Sequence, residues 1–336
     1  MNTSKRPKHL MGLTSGFGKN AEREALLGEM NDLLVAAELE LERTATKAPE
    51  PLLFILGPPR SGTTLVSQLT QASQAFCTLT NLAAHFWKAP ALGLMLSSVL
   101  EMRNGDTTSD FKSLRGVTGD LWEPHEFGYF WSRWFDLGQE THFLDPETRA
   151  RVDTEGLVRS IVAMQSVQRR PLAFKNNTWF SFQADLLAEV FPQSVFISCS
   201  RDPYYVAQSI WMQRIDLYGD PARWWSVRPP DYADIIQLPP LEQVARQAVS
   251  IELTTSKTLA RVDPARVIRA DYTDVVREPR KLVTEAVTAV LGQDAVADVP
   301  FDKIPQRFET TDRSRLDEDT AVRLRAAVDK WRSILG

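Results

Sequence analysis

The chain has 336 residues, of which 43% are apolar and 24% are charged, a composition typical of a globular enzyme. Its formal net charge of −4, with no basic run, argues against nucleic-acid binding as its main task. The two cysteines, Cys77 and Cys199, lie far apart in sequence and support neither a disulfide framework nor a metal site, which favours a reducing, cytoplasmic location. No apolar stretch reaches 18 residues, so we expect no membrane insertion.

The predicted elements begin with a flexible tail over residues 1–20 and a helix over 21–45. Short apolar runs then predict buried strands at 52–56, 172–174, 195–199 and 267–269. Helical patterns separate these strands, and a last helix is predicted at about 317–335. The first helix has apolar residues at helical spacing, which predicts a face packed beside the core: Leu26, Met30, Leu33, Leu34, Ala37 and Leu41.

This alternation predicts one α/β domain over residues 21–336, with its core at about 50–292. Right-handed connections would give a central, mostly parallel sheet between two layers of helices. The predicted fold is therefore a three-layer αβα arrangement with helical elaborations. Sheets of this kind bind their ligands at the carboxyl ends of the strands.

The first strand leads into a loop with the spacing of a P-loop-like phosphate site. Gly57 and Gly62 keep the pattern G-x-x-x-x-G, in which backbone N–H groups converge on an anion at a helix N-terminus. A nucleotide triphosphatase would continue with a lysine, followed by Ser or Thr for magnesium. Here Thr63 follows Gly62, and Arg60 is the only cation of the loop. The loop therefore predicts an anion other than Mg-ATP.

A second polar pair follows the strand over 195–199. Arg201 comes directly after this strand, and Ser209 lies eight residues later, about two helical turns on. Pro203 stands where a helix commonly begins. An arginine fork with a nearby hydroxyl suits a phosphate group. The alternative is an ion pair at a strand end together with a surface serine.

Together, the loop over 57–64 and the Arg201…Ser209 pair resemble the two cofactor signatures of bacterial-type PAPS-dependent sulfotransferases. A strand ending at Lys175 and the segment over 267–279 resemble two further family segments, in the expected order. The resemblance covers about 50–292. It implies in-line transfer of a sulfuryl group from 3′-phosphoadenylyl sulfate (PAPS) to a hydroxyl of a saccharide or small metabolite, with a general base and no required metal.

The resemblance also implies roles for individual residues. The loop would bind the 5′-phosphosulfate and the Arg–Ser pair the 3′-phosphate, while Arg60 and Lys175 would stabilise charge at the reacting group. The family's C-terminal 3′-phosphate loop is not recognisable, and Arg307, Arg313 and Arg315 are its candidate substitutes. The PAPS contacts implied in this way are Pro59, Arg60, Ser61, Gly62, Thr63, Thr64, Leu65, Arg201 and Ser209.

The general base does not stand at either place familiar from the family, since Asn177 occupies one and the other falls near Asn81. The remaining candidates for the base lie in the segment over 122–128, and His85 is a further candidate outside it. We expect the base to be His125, because an imidazole with a pKa near ~6.5 accepts a proton at neutral pH. The flanking acids would orient it or act as bases themselves: Glu123 and Glu126. Alternatively, the segment is a solvated helix start.

The acceptor side is indicated only by composition. Nine tryptophans and an irregular aromatic segment over 218–230 are consistent with an acceptor-facing insertion, or with buried core residues and a packed surface loop. Two other functions stay open. One is a P-loop kinase or NTPase, and the other is a nucleotide-binding protein without catalysis.

Overall fold

The computed structural model describes residues 20–46, 48–104, 109–113, 118–138 and 140–336, so the tail predicted over 1–20 lies almost entirely outside it. The described residues form a five-stranded sheet with the order β2-β3-β1-β4-β5. Every neighbouring pair is parallel, as predicted. The strands are β1 Leu53–Leu56, β2 Cys77–Thr78, β3 Leu172–Lys175, β4 Val195–Ser200 and β5 Val267–Asp271.

Helices surround the sheet on both faces. Within the described ranges, none of them combines the length and apolar content needed to cross a membrane. The helices are α1 Ala21–Thr44, α2 Thr63–Ala72, α3 Pro90–Asn104, α4 Gly128–Trp131, α5 Pro146–Ala150, α6 Thr154–Ser166, α7 Asn177–Phe180, α8 Ala184–Val190, α9 Pro203–Tyr218, α10 Tyr232–Ile235, α11 Pro240–Leu259, α12 Tyr272–Arg277, α13 Pro279–Leu291 and α14 Glu318–Leu335.

Strand β1 divides the apolar core into two layers, because successive side chains of a strand point to opposite faces of the sheet. Leu53 and Ile55 pack with apolar residues of α2 and α13 on one face. Phe54 and Leu56 pack with residues of α6 and α8 on the other. All four are fully buried. The three-layer αβα fold is thereby confirmed.

A third apolar cluster joins α9, α11 and α14 into a helical elaboration beside the sheet. Ile210 of α9, Val249 of α11 and Val328 of α14 are buried in it. Because α9 also carries Ser209, this cluster fixes the position of that hydroxyl relative to β4.

Helix α1 overlaps the predicted first helix, but the prediction of its buried face was wrong. Leu26 and Leu33 are 67% and 83% exposed, whereas the buried residues of α1 are Asn31 and Glu38. The Glu38 carboxylate accepts hydrogen bonds from two backbone N–H groups in the first turn of α3. Burial raises the pKa of Glu38 to about 7. Polar contacts with α3 therefore help to hold this helix, and of the six predicted apolar residues Leu41 packs against the core.

The strand order places a topological switch at β1. The chain continues from β1 to β2 and β3 on one side of the strand and to β4 and β5 on the other. Ligands of doubly wound sheets bind in the crevice at such a switch, outside the carboxyl ends of the strands. The loop after β1, the end of β3 and the loop after β4 meet at this crevice.

Candidate functional site

The loop after β1 needs glycine at two positions. Gly57 has φ 143°, and a Cβ there would lie 2.4 Å from the Cys199 carbonyl oxygen. Gly62 has φ 95°, and a Cβ there would lie 2.9 Å from the Tyr272 ring. Helix α2 begins directly afterwards at Thr63 and has no side-chain cap. Its first N–H groups and the helix dipole therefore suit an anion.

Arg60 joins the two predicted cofactor segments in space. It adopts φ 71°, which is uncommon for a residue with a side chain. Its Nε donates a hydrogen bond to Ser209 Oγ at 2.8 Å. Arg201 Nη1 in turn donates to the Arg60 carbonyl oxygen at 2.9 Å. The structure thus brings together Arg60, Arg201 and Ser209, which are 149 residues apart at the widest separation.

The guanidinium of Arg201 is largely buried, with 9% of the side chain exposed. Its Nε and Nη2 lie 2.7 and 2.5 Å from Asp312 Oδ1, and Nη2 donates to Thr311 Oγ1 at 3.0 Å. The guanidinium also lies over the Tyr272 ring, 4.3 Å from its centroid. Sequence reasoning singled out the segments that carry Asp312, Thr311 and Tyr272 but gave none of these residues a role.

The three candidate arginines of the C-terminal segment do not reach this cluster. Arg307, Arg313 and Arg315 are exposed. Among the described residues, their side chains make no hydrogen bond or ion pair, whereas the backbone of Arg313 and Arg315 bonds to Gln208 of α9. The same segment supplies Asp312, so an acidic side chain rather than an arginine contacts Arg201 at the predicted phosphate site.

Lys175 ends strand β3 beside the loop and is nearly buried, with 6% of its side chain exposed. Its Nζ forms an ion pair with the carboxylate of Glu126, which is 46% exposed. Asn176 strengthens this contact by donating to the Glu126 backbone carbonyl at 2.8 Å.

Burial raises the pKa of the nearby Cys199 thiol to about 12, so this thiol is not a nucleophile at neutral pH.

Glu123, two residues before the predicted base, points away from Lys175 into the protein. It is 4% exposed. Its carboxylate accepts hydrogen bonds from Gln68 Nε2 at 2.9 Å, Ser109 Oγ at 2.8 Å and the Asp110 N–H at 3.0 Å. These contacts join α2 to the segment over 109–113. They therefore support a structural role for Glu123.

His125, the expected base, is exposed. Its Nδ1 accepts a hydrogen bond from the Phe127 N–H at 2.8 Å. An imidazole that accepts at Nδ1 carries its proton on Nε2, so in this tautomer Nε2 donates rather than accepts. The assignment of the base to His125 stays a prediction, with this geometry against it.

His85 contacts helix α1 rather than the loop. Its Nε2 lies 2.6 Å from Arg23 Nη2, and burial lowers its pKa. Asn81 donates to the Thr118 side chain and to the Asp120 carbonyl oxygen. The contacts of both residues therefore lie outside the cluster at the ends of β1, β3 and β4.

Two residues after β3 hold the loop in place. Ser181 Oγ accepts from the Gly57 N–H at 3.3 Å and donates to the Gly57 carbonyl oxygen at 3.1 Å. Asn177 Nδ2 donates to the Pro58 carbonyl oxygen at 3.3 Å. Its buried Oδ1 has no hydrogen-bond partner among the residues that the structure describes. Sequence reasoning noted Asn177 only as a missing histidine and missed Ser181.

The segment predicted as an acceptor-facing insertion is packed onto neighbouring elements. Val227 is fully buried, and Gln247 of α11 donates to the carbonyl oxygens of Trp225 and Val227. The backbone N–H of His142 donates to the Arg228 carbonyl oxygen at 2.9 Å.

In the described part of the chain, no group of three or more His, Cys, Asp or Glu side chains is placed to hold a metal ion.

Comparison with known proteins gives a consistent picture. A family model described as "Sulfotransferase family" matches residues 51–297, well over half of the chain. The chain is 26% identical over 257 residues to the omega-hydroxy-beta-dihydromenaquinone-9 sulfotransferase Stf3 of Mycobacterium bovis and of Mycobacterium tuberculosis. The alignment covers 70% of this chain and 61% of each relative, so the chain spans about three fifths of their length.

The fold also resembles a solved structure, that of the sulfotransferase STF9 from Mycobacterium avium. The two share 18% sequence identity with a TM-score of 0.50, and the match covers 89% of this chain and 73% of that one. At this identity the likeness concerns the arrangement of the sheet and its helices.

Proposed function

The chain belongs to the sulfotransferase family, and we propose that it transfers the sulfuryl group of PAPS to the hydroxyl of an acceptor molecule. The contact between Arg60 and Ser209, with Arg201 on the Arg60 carbonyl oxygen, carries this proposal. It joins an uncapped helix N-terminus to a second arginine fork. Two neighbouring anion sites suit a nucleotide that has a 5′-phosphosulfate and a separate 3′-phosphate.

We assign the 5′-phosphosulfate to the loop and the first turn of α2, with Arg60 on its phosphate. Arg201 and Ser209 would hold the 3′-phosphate. The buried Lys175 would face the sulfonyl oxygens, where negative charge must be stabilised during transfer. The backbone and hydroxyl groups of the loop complete the assignment: Pro59, Ser61, Gly62, Thr63, Thr64 and Leu65.

The proposed reaction is a single in-line displacement. The acceptor oxygen bonds to sulfur while the bond from sulfur to the 5′-phosphate oxygen breaks, which releases adenosine 3′,5′-bisphosphate. The acceptor proton goes to a general base, so the products are a sulfate ester and the bisphosphate. Cations and amides that are already in place can stabilise the leaving phosphate, as in phosphoryl transfer.

We assign the general base to Glu126. Of the three candidates between residues 122 and 128, it alone contacts Lys175, at the end of the strand next to the loop. Its half-exposed carboxylate has room for a proton, whereas Glu123 is enclosed by three donors. When Lys175 turns to the sulfonyl oxygens, the Glu126 carboxylate is released to accept the acceptor proton.

The acceptor class is proposed more broadly, as a saccharide or a small hydroxylated metabolite. The curated relatives are named for a hydroxylated menaquinone, and this adds a lipophilic quinone to the acceptors worth testing. Three half-buried tryptophans lie in the segments that follow β3 and α9: Trp179, Trp224 and Trp225. Their rings are suited to stacking on a flat or cyclic acceptor.

Calorimetry tests the nucleotide assignment. We expect adenosine 3′,5′-bisphosphate to bind in the presence of a metal chelator and ATP with magnesium not to bind. The reverse result would make the protein a P-loop kinase or NTPase, and binding of neither nucleotide would remove the donor assignment. Transfer of label from ³⁵S-PAPS to a panel of saccharides and a hydroxylated menaquinone then separates a transferase from a nucleotide-binding protein without catalysis.

A further inference from the structure

We propose that Asp312 is an internal competitor of the nucleotide's 3′-phosphate, because its carboxylate occupies Arg201 until the nucleotide displaces it. The proposal rests on the proposed function, since it requires a ligand whose phosphate binds Arg201. A carboxylate and a phosphate present similar oxygens to the planar guanidinium fork. Asp312 therefore occupies the donors that a 3′-phosphate would use.

Every nitrogen of the Arg201 guanidinium already has a partner inside the protein. Nε and Nη2 contact Asp312 Oδ1, and Nη2 also donates to Thr311 Oγ1. Nη1 donates to the Arg60 carbonyl oxygen. The pair is shielded from water, with 9% of the Arg201 side chain and 16% of the Asp312 side chain exposed. These contacts leave one N–H of Nη1, so a phosphate that takes the paired donors Nε and Nη2 must replace Asp312.

The segment that carries Asp312 is fixed at both ends and loosely held between them. At one end the Phe308 N–H donates to the Val276 carbonyl oxygen at 2.7 Å. At the other, the Gln208 amide bonds to the Arg313 carbonyl oxygen and to the Arg315 N–H, each at 3.0 Å. We call residues 309–312, between these anchors, the strap.

The strap contacts the rest of the described protein through few hydrogen bonds. Besides those to Arg201, the Thr311 N–H donates to Tyr272 Oη at 3.2 Å, and the two hydroxyls lie 2.9 Å apart. Asp312 N–H bonds only within the strap, to Thr310 Oγ1. The four residues can therefore lift from Arg201 while both anchors hold, with loss of the contact from the Arg313 N–H to the Thr311 carbonyl oxygen. Because an uncompensated buried charge is costly, the carboxylate leaves Arg201 as the phosphate arrives.

This exchange gives the site two states. Without nucleotide, Asp312 keeps the buried Arg201 paired and oriented. With nucleotide, the 3′-phosphate takes its place, and the apparent affinity is reduced by the cost of opening the strap. When the product bisphosphate leaves, the carboxylate is at hand to replace its phosphate, which favours release.

The test compares Asp312→Asn with Glu309→Gln, an exposed strap residue that loses the same charge. Calorimetry measures two ligands, adenosine 3′,5′-bisphosphate and adenosine 5′-monophosphate, which lacks the 3′-phosphate. We expect Asp312→Asn to tighten bisphosphate binding about tenfold, as for the loss of one charge-assisted competitor, and to change monophosphate binding less than about twofold. Glu309→Gln should change both by less than about twofold. Weaker or unchanged bisphosphate binding in Asp312→Asn, or an equal gain in Glu309→Gln, would overturn the proposal.

Hydrogen exchange on the unmodified protein gives a second test that does not depend on the variant folding. Bisphosphate should speed exchange of the amides of residues 309–312, whereas monophosphate should not. Slower exchange with bisphosphate would mean that the strap stays on Arg201, against the proposal. If the unmodified protein fails to bind bisphosphate, the proposed function falls. If it binds and Arg201→Ala weakens binding while Asp312→Asn does not tighten it, only the competitor proposal falls.

Discussion

The proposed nucleotide end and the proposed acceptor end of the site are built in different ways. At the nucleotide end, a glycine-bracketed loop and the first turn of α2 supply backbone donors, and Arg60 bridges them to Ser209 of α9. At the acceptor end, the polar groups are side chains of the segment over 122–127, whose backbone is joined to residues 79–81 by two hydrogen bonds, from the His125 N–H to the Leu79 carbonyl oxygen and from the Asn81 N–H to the Glu123 carbonyl oxygen. Backbone geometry therefore determines the first site, and side-chain direction determines the second.

The two ends also differ in how their cations are balanced. The Arg201–Asp312 pair is shielded from water on both sides, whereas the partner of Lys175 is a half-exposed carboxylate, Glu126. A buried pair must be exchanged as a unit, since an uncompensated buried charge is costly. A proton on the half-exposed Glu126 leaves the Lys175 ammonium without this partner, and the proposed contact of Lys175 with the sulfonyl oxygens takes its place. The first arrangement suits binding, and the second suits proton transfer.

The largest effect is expected at the acceptor end. Glu126→Gln should lower kcat by about 10²- to 10⁴-fold, the range for loss of a general base. The affinity for adenosine 3′,5′-bisphosphate should change less than about twofold, because the amide lies outside the proposed nucleotide contacts. The measurement is label transfer from ³⁵S-PAPS at saturating donor, with calorimetry beside it.

The matched control is His125→Ala, which removes the neighbouring candidate. If Glu126 is the base, this variant keeps its turnover within about threefold, since an exposed side chain is removed. A loss of turnover in His125→Ala together with full activity in Glu126→Gln would return the role to His125.

The nucleotide end is tested next by Arg201→Ala. Loss of a charge-assisted contact costs about 1.5–3 kcal/mol, so bisphosphate binding should weaken by about 10- to 100-fold. Binding of adenosine 5′-monophosphate should hardly change. Arg313→Ala is the control, because that side chain is exposed and makes no hydrogen bond or ion pair with a described residue. Equal losses for both nucleotides would place Arg201 outside the 3′-phosphate site.

Much of the nucleotide end could be predicted from the sequence because its determinants are local. Gly57 and Gly62 are required by positive φ angles, and their spacing is visible without a structure. Arg201 follows a readable strand, and the helix after Pro203 fixes the distance to Ser209. Asp312 could not be found in this way, because it reaches Arg201 across 111 residues of chain.

The acceptor end could not be resolved from the sequence because neighbouring residues there point in different directions. This segment is irregular, so neither the period of a helix nor that of a strand predicts where its side chains point. Glu123 enters the protein, His125 faces solvent and Glu126 meets Lys175, although all three lie within four consecutive residues. The prediction of the buried face of helix α1 was wrong for a related reason. Its apolar spacing gave no sign that Asn31 and Glu38 would be its buried contacts.

A stability measurement separates the structural acid of the acceptor end from the proposed base. Glu123→Gln places an amide NH₂ among three donors, so the free energy of unfolding should fall by about 2 kcal/mol. Glu140→Gln, at an exposed position, should change it by less than about 0.5 kcal/mol. Urea unfolding followed by tryptophan fluorescence measures both. An undiminished unfolding free energy in Glu123→Gln, with lost turnover, would make Glu123 a catalytic candidate again.

The smallest effect is expected for Ser209→Ala, which removes one neutral hydroxyl from the nucleotide end. A hydrogen bond of this kind contributes about 1 kcal/mol, so bisphosphate binding should weaken about fivefold. Ser209 Oγ also accepts a hydrogen bond from Arg60 Nε, so the variant changes a contact of the residue assigned to the 5′-phosphate. Adenosine 5′-monophosphate, which has the 5′-phosphate but no 3′-phosphate, separates the two roles. Its binding should change less than about twofold if Ser209 holds the 3′-phosphate. Calorimetry on both nucleotides measures the two changes, and an equal loss for the monophosphate would mean that Ser209 positions Arg60 for the 5′-phosphate and does not bind the 3′-phosphate.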